Sequence, residues 1–238
     1  MKPILLGMAV HGQWQVTKDC LDSIAQSHDP KYMDIFIVDN ASPDSWDQSW
    51  ENKWSAFVHR NDENLYCARA WNQIWRKAQP GQLVVIINND IEVVTGFLHE
   101  LHKTALLFSP SIATTHILGL ASPEQQKPCI PGVVQILPPG HHHLSGVVFS
   151  GFRETFERVG GFDENYKTPW FEDNDFWMRC YEKGIPVLIA PTTVYHRGEI
   201  TSLAVTFDRS ANKRYFYETW KHRLGKEAEQ ELATCTDS

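Results

Sequence analysis

The sequence lacks long apolar runs, paired cysteines and an excess of basic residues. No stretch of its 238 residues approaches the roughly 20 apolar residues of a membrane-spanning helix. The short N-terminal run Ile4–Val10 is not followed by the small-residue cleavage site of a signal peptide. The five cysteines are far apart and form no CxxC pair, which argues against a zinc ribbon or a disulfide scaffold. These absences predict a cytoplasmic protein without a transmembrane segment.

Positive charge is also scarce. The chain carries 22 lysines and arginines against 29 aspartates and glutamates, a formal net charge of −7 at pH 7 with histidine neutral. Proteins that bind extended nucleic acids usually carry the opposite balance, so we expect no such binding. Apolar residues make up 42% of the chain and aromatic residues 12%, which is enough for a sizeable core and excludes a disordered chain.

The first half of the chain alternates apolar runs of strand length with segments of helical spacing. The predicted strands are Ile4–Met8, Ile35–Val38, Ala56–His59 and Leu83–Ile87. This alternation is typical of βαβ units in a mostly parallel sheet. After Leu107 the pattern breaks. The proline-rich segment Ser122–Gly140 is interpreted as an irregular excursion that contains one short strand, Val133–Leu137.

Regular elements resume in the remainder of the chain. The predictions are a strand at Gly146–Ser150, helices near Glu154–Val159 and Asp173–Lys183, and strands at Val187–Ala190 and Thr193–His196. Apolar residues four apart, beginning with Phe216 and Trp220, predict one amphipathic C-terminal helix over about 209–233. Because no repeat or linker divides the chain, we predict a single α/β domain over residues 1–238, with a mixed, mostly parallel sheet flanked by helices.

A candidate metal-binding segment follows the strand Leu83–Ile87. The apolar run leads directly into Asn88, Asn89 and Asp90. An aspartate at the carboxyl end of a strand can bind a divalent cation while a bound phosphate supplies further oxygens. An ordinary Asn-Asp turn explains this segment equally well.

A second candidate is Trp170–Asp175, which holds three carboxylates in four residues at the start of a predicted helix. The helix dipole tolerates negative charge there, and ordinary capping explains one or two of the three. The aromatic neighbours would partly desolvate a carboxylate and raise its proton affinity, which suits a general base.

Basic side chains supply weaker signals. His196 ends a predicted strand and can bind a metal or a phosphate, although a lone histidine in this place is more often structural. Arg69, one turn inside a predicted helix, can reach a base or a diphosphate, and a solvent-facing arginine is an equal alternative. The run His141–His143 lacks the ligand spacing of a strand or helix, so we interpret it as a solvated or pocket-lining loop, with metal binding as the less favoured alternative.

In their order along the chain, these segments resemble the family 2 glycosyltransferases of the GT-A fold. The matching segments are Ile37–Ser42, Asn64–Asn72, Asn88–Asp90, Val159–Glu164, Phe171–Asp175 with Arg179, and His196. The resemblance covers roughly residues 3–200. It implies a Rossmann-like GT-A domain with a nucleotide-binding half over about 1–108 and an acceptor-side half over about 109–205.

The resemblance assigns residues to the donor site. It implies that Val10 and Asp39 line the pocket of the nucleotide base and that Asn89 and Asp90 belong to the family's DxD motif. The last acid of that motif, here Asp90, holds Mn²⁺ or Mg²⁺ against the diphosphate of the sugar nucleotide. Arg69 is expected beside the same nucleotide.

The resemblance also implies the chemistry. His196 matches a residue near the metal and the diphosphate, and Asp173 matches the base that takes a proton from the acceptor hydroxyl in one inverting displacement. The sequence departs from the family at two places. Asn88 replaces the first acid of the DxD motif, and Leu65 stands where glycine is common.

We therefore expect an enzyme that transfers a sugar from a nucleoside diphosphate sugar to a hydroxyl-bearing acceptor. A UDP-sugar is the first choice of donor, with GDP- and dTDP-sugars as alternatives. Asn88 suggests a second hypothesis, a non-catalytic sugar-nucleotide-binding scaffold. A sugar-nucleotide pyrophosphorylase is less favoured because Val10–Trp14 contains one glycine and no lysine or arginine. The sequence leaves a homodimer open and does not choose the acceptor.

Overall fold

The computed structural model describes residues 2–44, 46–198 and 209–235. Its strands are β1 (Ile4–Val10), β2 (Met33–Asp39), β3 (Ala56–Arg60), β4 (Leu83–Ile87), β5 (Ile91–Val93), β6 (Ile112–Gly119), β7 (Gln135–Ile136), β8 (Val148–Phe152) and β9 (Val187–His196). Its helices are α1 (Trp14–Ser27), α2 (Ser49–Trp54), α3 (Tyr66–Lys77), α4 (Phe97–Phe108), α5 (Arg153–Val159), α6 (Glu172–Glu182), α7 (Ser210–Leu224) and α8 (Lys226–Ala233).

The strands form one mixed sheet in the order β3-β2-β1-β4-β8-β6-β9-β5, with β7 beside β9. The first four strands in this order are parallel to one another. Strand β8 runs antiparallel to β4 and β6, β9 runs parallel to β6, and β5 runs antiparallel to β9. The carboxyl ends of β1, β2 and β4 therefore meet at one edge, where open α/β sheets bind ligands. The predicted α/β fold is confirmed.

Helices cover both faces of the sheet. Strand β4 lies in its middle and is buried throughout, so it contains only Leu, Val and Ile. Side chains alternate along a strand, and Val85 accordingly packs in the core on the face of α1, while Val84 packs in the core on the face of α3. Helix α1 contributes Leu21 and Ile24 to the first core, and α3 contributes its two tryptophans to the second.

The central strand β6 was not predicted. Its sequence, Ile-Ala-Thr-Thr-His-Ile-Leu-Gly, has three consecutive polar residues in the middle, so no apolar run is visible. The structure buries these side chains and satisfies one of them, because Gln125 donates a hydrogen bond to the Thr114 hydroxyl over 3.0 Å. The expected strand Val133–Leu137 is reduced to the two-residue β7.

Two strands that the sequence predicts separately form one continuous strand in the structure. Val187–Ala190 and Thr193–His196 join in β9, which continues through Pro191. The pairing of β6 with β9 shifts register between Thr115 and His116, opposite this proline. Such an irregularity allows a residue without an N–H to remain inside a sheet.

The predicted single C-terminal helix is two helices. The break lies at Gly225, whose φ of 52° and ψ of −118° are not helical. Helix α8 turns back beside α7, and the Lys213 ammonium lies 2.6 Å from a carboxylate oxygen of Glu231. Helix α7 is attached to α6 through the Trp220 indole, which donates to Asp175 over 2.8 Å. Among the described residues, no helix combines the length and apolar character needed to cross a membrane.

Candidate functional site

A cavity of about 500 Å³ opens at the carboxyl edge of the sheet. Its walls come from the end of β1 with Val10 and from the segment Asn88–Asp90 after β4. Its lining also includes Trp170, Glu172 and Asp173 at the start of α6. The cavity therefore brings together the two acidic segments that the sequence singled out, although they are more than eighty residues apart.

Strand pairing places His196 beside Asp90. Strand β5 begins directly after Asp90, and its first residue pairs with His196 at the end of β9. The His196 Nδ1 lies 2.7 Å from the Leu120 carbonyl oxygen. A carbonyl only accepts hydrogen bonds, so Nδ1 carries the proton, and in the neutral ring Nε2 keeps its lone pair. This Nε2 lies 3.3 Å from Asp90 Oδ1.

The Asp90–His196 contact has the chemistry of a cation site. Asp90 Oδ1 is buried and has no hydrogen-bond partner, although its distance from His196 is that of an ion pair. A carboxylate oxygen and an imidazole lone pair facing each other repel unless a proton or a metal ion lies between them. Carboxylate and imidazole together suit Mn²⁺ and related divalent ions. The two residues therefore fit the metal that the sequence predicts.

The two asparagines before Asp90 have different surroundings. The Asn89 amide donates to the Thr17 hydroxyl of α1 over 2.9 Å, which anchors the turn. Asn88 lines the cavity and is half-buried, and its backbone N–H donates to the Val147 carbonyl. Of this segment, only Asp90 directs a carboxylate at the cavity.

Asp173 is held by backbone N–H groups. Its Oδ2 accepts from the Gly146 N–H and its Oδ1 from the Asn174 N–H, both over 2.9 Å. Burial raises the pKa of the Asp173 carboxyl, and these two hydrogen bonds oppose the rise. A Cβ at position 146 would lie 2.8 Å from the Asp173 Cβ, so the close approach requires glycine. The carboxylate is thus fixed in place, with a proton affinity suited to a base.

Glu172 is a site residue to which the sequence assigned no role. Its side chain is buried, and Oε2 has no hydrogen-bond partner. Burial first, and the negative charge of Asp173 second, raise the pKa of Glu172 well above its usual value. The Cys67 thiol contacts the same carboxyl. Burial thus raises the pKa of both members of the acidic pair, and that of Glu172 lies well above its usual value.

Left-handed backbone conformations cluster at the rim of the cavity. Tyr66, Trp170 and Phe171 have φ angles of 58°, 77° and 72°, which are unusual for bulky residues. Strain of this kind is concentrated at functional sites. Leu65, which replaces a common glycine, has an ordinary φ of −83°, and Tyr66 takes the left-handed position instead. The Asn40 side chain supports this loop by donating to the Tyr66 carbonyl and accepting from the Leu65 N–H.

Two predicted nucleotide-binding residues do not line the cavity. Asp39 is buried at the end of β2, where its carboxylate accepts from the Arg60 guanidinium and from the Ser42 N–H. Arg69 is half-buried on α3. Their contacts with a nucleotide remain predictions. The sequence analysis missed Arg60, although β3 ends one strand away from Asp39 and the two residues are in register.

The third carboxylate of the acidic segment is structural. Asp175 is fully buried and accepts from the Arg179 guanidinium and from the Trp220 indole. Arg179 also binds Asp163 over 2.9 Å. Burial raises the pKa of Asp175, while Arg179 and the indole oppose the rise. Asp175 thus links α6 to α7 and does not line the cavity.

Asn72 connects two further segments of the family resemblance, Asn64–Asn72 and Val159–Glu164. Its amide donates to the Phe162 carbonyl and accepts from the Phe162 N–H, each over 2.9 Å. It also accepts from the Trp75 indole over 2.7 Å. These bonds attach α3 to the turn after Gly161. The Asn64–Asn72 and Val159–Glu164 segments therefore occur together because they contact each other.

Solved structures share this fold at low sequence identity. The chain matches S. aureus TarS 1-349 in complex with UDP-GlcNAc with a TM-score of 0.68 and 16% identity, covering 98% of this chain and 71% of that chain. It matches GalNAc-T7 with UDP, GalNAc and Mn²⁺ with a TM-score of 0.66 and 15% identity, covering 98% of this chain and 55% of that chain. Against the longer S. aureus TarS structure the TM-score is 0.67 at 15% identity, covering 98% of this chain and 42% of that chain.

Two family models match consecutive parts of the chain. Residues 6–116 match glycosyl transferase family 2, and residues 139–203 match the N-terminal domain of galactosyltransferase. No curated protein matches at the sequence level. The first match contains Asp90, and the second contains Asp173 and His196. The chain therefore has the GT-A fold of these glycosyltransferases, and its residues 6–116 resemble glycosyl transferase family 2.

Proposed function

We propose that the protein transfers a glycosyl group from a nucleoside diphosphate sugar to an acceptor hydroxyl, with inversion at the anomeric carbon. The observation that carries this proposal is the placement of two carboxylate centres in one cavity, Asp90 with His196 and Asp173 with Glu172. A displacement of this kind needs stabilisation of the leaving diphosphate and, separately, a base for the attacking hydroxyl. UDP-sugars are the first donors to test, because TarS and GalNAc-T7 have been crystallised with UDP or UDP-GlcNAc.

The donor is proposed to lie against residues from about 1–108. Val10 lines the cavity at the end of β1 and would contact the nucleoside. Asp39, which is bound to Arg60 and to the Ser42 N–H, would position the loop beside the nucleoside. Arg69 would approach the nucleotide from the neighbouring helix. Asp90 Oδ1 and His196 Nε2 would hold a divalent cation, Mn²⁺ or Mg²⁺. Such an ion, when bound, supplies positive charge against the diphosphate.

Asp173 is the proposed general base. Its raised pKa suits proton transfer, and the Gly146 and Asn174 N–H groups hold the carboxylate in one orientation. Protonation of Glu172, which its raised pKa favours, would leave the negative charge of the pair on Asp173. A base on the side of the sugar opposite the diphosphate gives inversion. The acceptor is proposed to enter from the half formed by residues 109–205.

The cytoplasm remains the proposed location. All five cysteines are free thiols, as is usual in a reducing compartment.

The decisive experiment combines donor binding with turnover. Purified protein is incubated with a panel of nucleoside diphosphate sugars with and without Mn²⁺, and both the melting temperature and the release of nucleoside diphosphate are measured. Ligand binding to the folded state raises the melting temperature by mass action. We expect one class of donor to stabilise the protein only with Mn²⁺ and to be slowly hydrolysed. NMR of the sugar released or transferred then reports its anomeric configuration.

Asp90→Asn tests the metal assignment. We expect this variant to lose the Mn²⁺-dependent stabilisation by the donor, whereas Asp34→Asn, which changes a surface carboxylate, should behave as the wild type. Donor binding without any turnover, unchanged by Asp173→Asn, would instead support the non-catalytic alternative. If the donor still stabilised Asp90→Asn as strongly as it stabilises the wild type, with or without Mn²⁺, the assignment of the metal site to Asp90 would be contradicted.

A further inference from the structure

We propose that His142, His143 and Glu227 form a second cation site, of the zinc class, which joins the loop before β8 to helix α8. None of the three residues lines the catalytic cavity. In the sequence, the run His141–His143 shows no ligand spacing and is therefore interpreted as a solvated or pocket-lining loop. The third ligand comes from a helix 84 residues further along the chain, where local spacing gives no indication of it.

The distances suit tetrahedral coordination. His142 Nε2 lies 3.2 Å from Glu227 Oε1, and His143 Nε2 lies 3.4 Å from the same oxygen. Three ligand atoms, one from each residue, lie within 4.8 Å of one another. Zinc binds nitrogen and oxygen at about 2.0–2.1 Å, so neighbouring ligand atoms of a tetrahedral site are about 3.3 Å apart. The three side chains thus need little movement to bind one ion.

The orientation of His142 supports a ligand role. Its Nδ1 lies 3.0 Å from the Gly140 carbonyl oxygen and must therefore be the protonated nitrogen. Metal-binding histidines commonly donate their second N–H to a carbonyl in this way. The other nitrogen, Nε2, belongs to a side chain that is 3% exposed and has no hydrogen-bond partner. A buried lone pair is therefore aimed at the Glu227 carboxylate.

Protonation is the competing way to satisfy this contact. A second proton on the His142 ring would turn the contact into a hydrogen-bonded ion pair with Glu227. A metal ion satisfies both nitrogens and the carboxylate without placing two protonated rings 3.9 Å apart, centroid to centroid.

The ligand types select the ion. Two imidazoles and one carboxylate favour Zn²⁺, whereas Mg²⁺ and Ca²⁺ favour oxygen ligands alone. Three protein ligands leave a fourth position for water. His141 is not part of the set, since its Nε2 faces Glu124 at 3.8 Å.

The site would brace the loop that contacts the proposed base. The His142 carbonyl accepts from the Asn174 side chain over 2.8 Å, and the Leu144 carbonyl accepts from the Trp177 indole over 3.1 Å. Two residues further on, Gly146 donates to Asp173. An ion that ties His142 to α8 would therefore fix this loop from its outer side.

The proposal is tested by measuring metal binding in two variants that each lack one ligand and in one control variant, all changed at exposed side chains. Protein freed of metal with a chelator is titrated with ZnCl₂ by calorimetry, and with Co²⁺, whose visible absorption distinguishes tetrahedral from octahedral coordination. The titrations are made in Asp90→Asn protein, so that the proposed cation position beside His196 lacks its carboxylate. His143→Ala and Glu227→Gln each remove one ligand from a side chain that is 61% or 40% exposed, so the fold should tolerate them. His222→Ala is the matched control, because His222 is an exposed histidine that faces a single carboxylate among the described residues, Glu182 at 3.6 Å.

We expect one Zn²⁺ per chain, a tetrahedral Co²⁺ spectrum, and an unchanged affinity in His222→Ala. Loss of one ligand should weaken Zn²⁺ binding at least about 100-fold, the upper end of what loss of an outer-shell partner costs. Equal Zn²⁺ affinity in all variants would overturn the proposal. Absence of Zn²⁺ binding in the Asp90→Asn protein would overturn it as well, and would assign the cluster to proton-sharing between His142 and Glu227.

Discussion

Replacing Asp173 by asparagine removes the proposed base with almost no change in shape. The same replacement at Asp175, two residues further along α6, provides a matched control. Both carboxyls have a pKa raised by burial, but Asp173 faces the cavity while Asp175 is bound to Arg179 and Trp220. We expect Asp173→Asn to lose activity with little loss of stability and Asp175→Asn to do the opposite.

The magnitudes follow from these surroundings. A positioned general base contributes about 10²–10⁴ in rate, so Asp173→Asn should lower kcat by that factor, or about 3–5 kcal/mol in activation free energy. Folding raises the pKa of the Asp173 carboxyl, so its contribution to the free energy of unfolding is fully present below the unfolded pKa and is lost as pH rises through the folded pKa. At neutral pH a buried aspartate therefore destabilises the folded state, and asparagine, which does not ionise, removes this destabilisation. It retains an acceptor for one of the two backbone N–H groups, and stability should stay within about 1 kcal/mol of wild type.

Asp175→Asn breaks a buried ion pair. The loss is expected to be about 3 kcal/mol, the lower end for such pairs, because Arg179 keeps Asp163 as a partner. For a chain of this length that corresponds to a fall of roughly 6–12 °C in melting temperature.

Both variants are measured by calorimetry and by single-turnover transfer well below the lower melting temperature. Donor binding should survive in both, because neither side chain belongs to the donor-binding wall. Near-normal transfer by Asp173→Asn would refute the base assignment. A similar loss of transfer in fully folded Asp175→Asn would show that the activity test does not separate the two environments.

Three other predictions follow from the same structure. Transfer needs ionised Asp173, so kcat/KM should rise with pH through a pKa above the ordinary aspartate value, and a profile flat down to pH 4.5 would contradict this. Gly146→Ala should impair kcat per folded enzyme more than donor binding, because the new Cβ would press on Asp173, and equal losses in kcat and donor affinity would contradict an effect confined to Asp173. Asn72→Ala should lower the free energy of unfolding by about 3 kcal/mol or more, since it leaves Phe162 backbone groups and the Trp75 indole without partners, whereas Gln73→Ala should cost far less.

The strands with continuous apolar runs were predictable, and those with mixed composition were not. Strand β4 is buried on both faces, so burial alone accounts for its sequence. Strand β6 is equally central but contains buried threonines and a histidine, and the hydrogen bond to the Thr114 hydroxyl comes from Gln125 outside the strand. Local hydropathy therefore indicated a break where the sheet continues.

Contacts between distant elements limited the prediction of the site. The sequence shows Asp90 and His196 as separate signals, and only the antiparallel pairing of β5 with β9 brings them to 3.3 Å. The three-residue β5 is too short to be recognised by alternation. The partner of Asp39 was missed for a similar reason, because Arg60 faces it through the register of two neighbouring strands.

The acidic segment looked uniform in sequence, and burial divides it into three kinds of group. Asp175 is paired with Arg179, burial raises the pKa of Glu172 well above its usual value, and backbone N–H groups hold Asp173 at the cavity. The Glu164 carboxylate is paired with Arg76 outside the cavity. The cavity thus presents far fewer free charges than the acidic residues around it suggest. Asp90 and Asp173 both line the cavity, and Asp90 has the His196 imidazole beside it. We therefore expect a diphosphate to bind next to Asp90 and His196 once a cation is there, and the acceptor hydroxyl to approach Asp173.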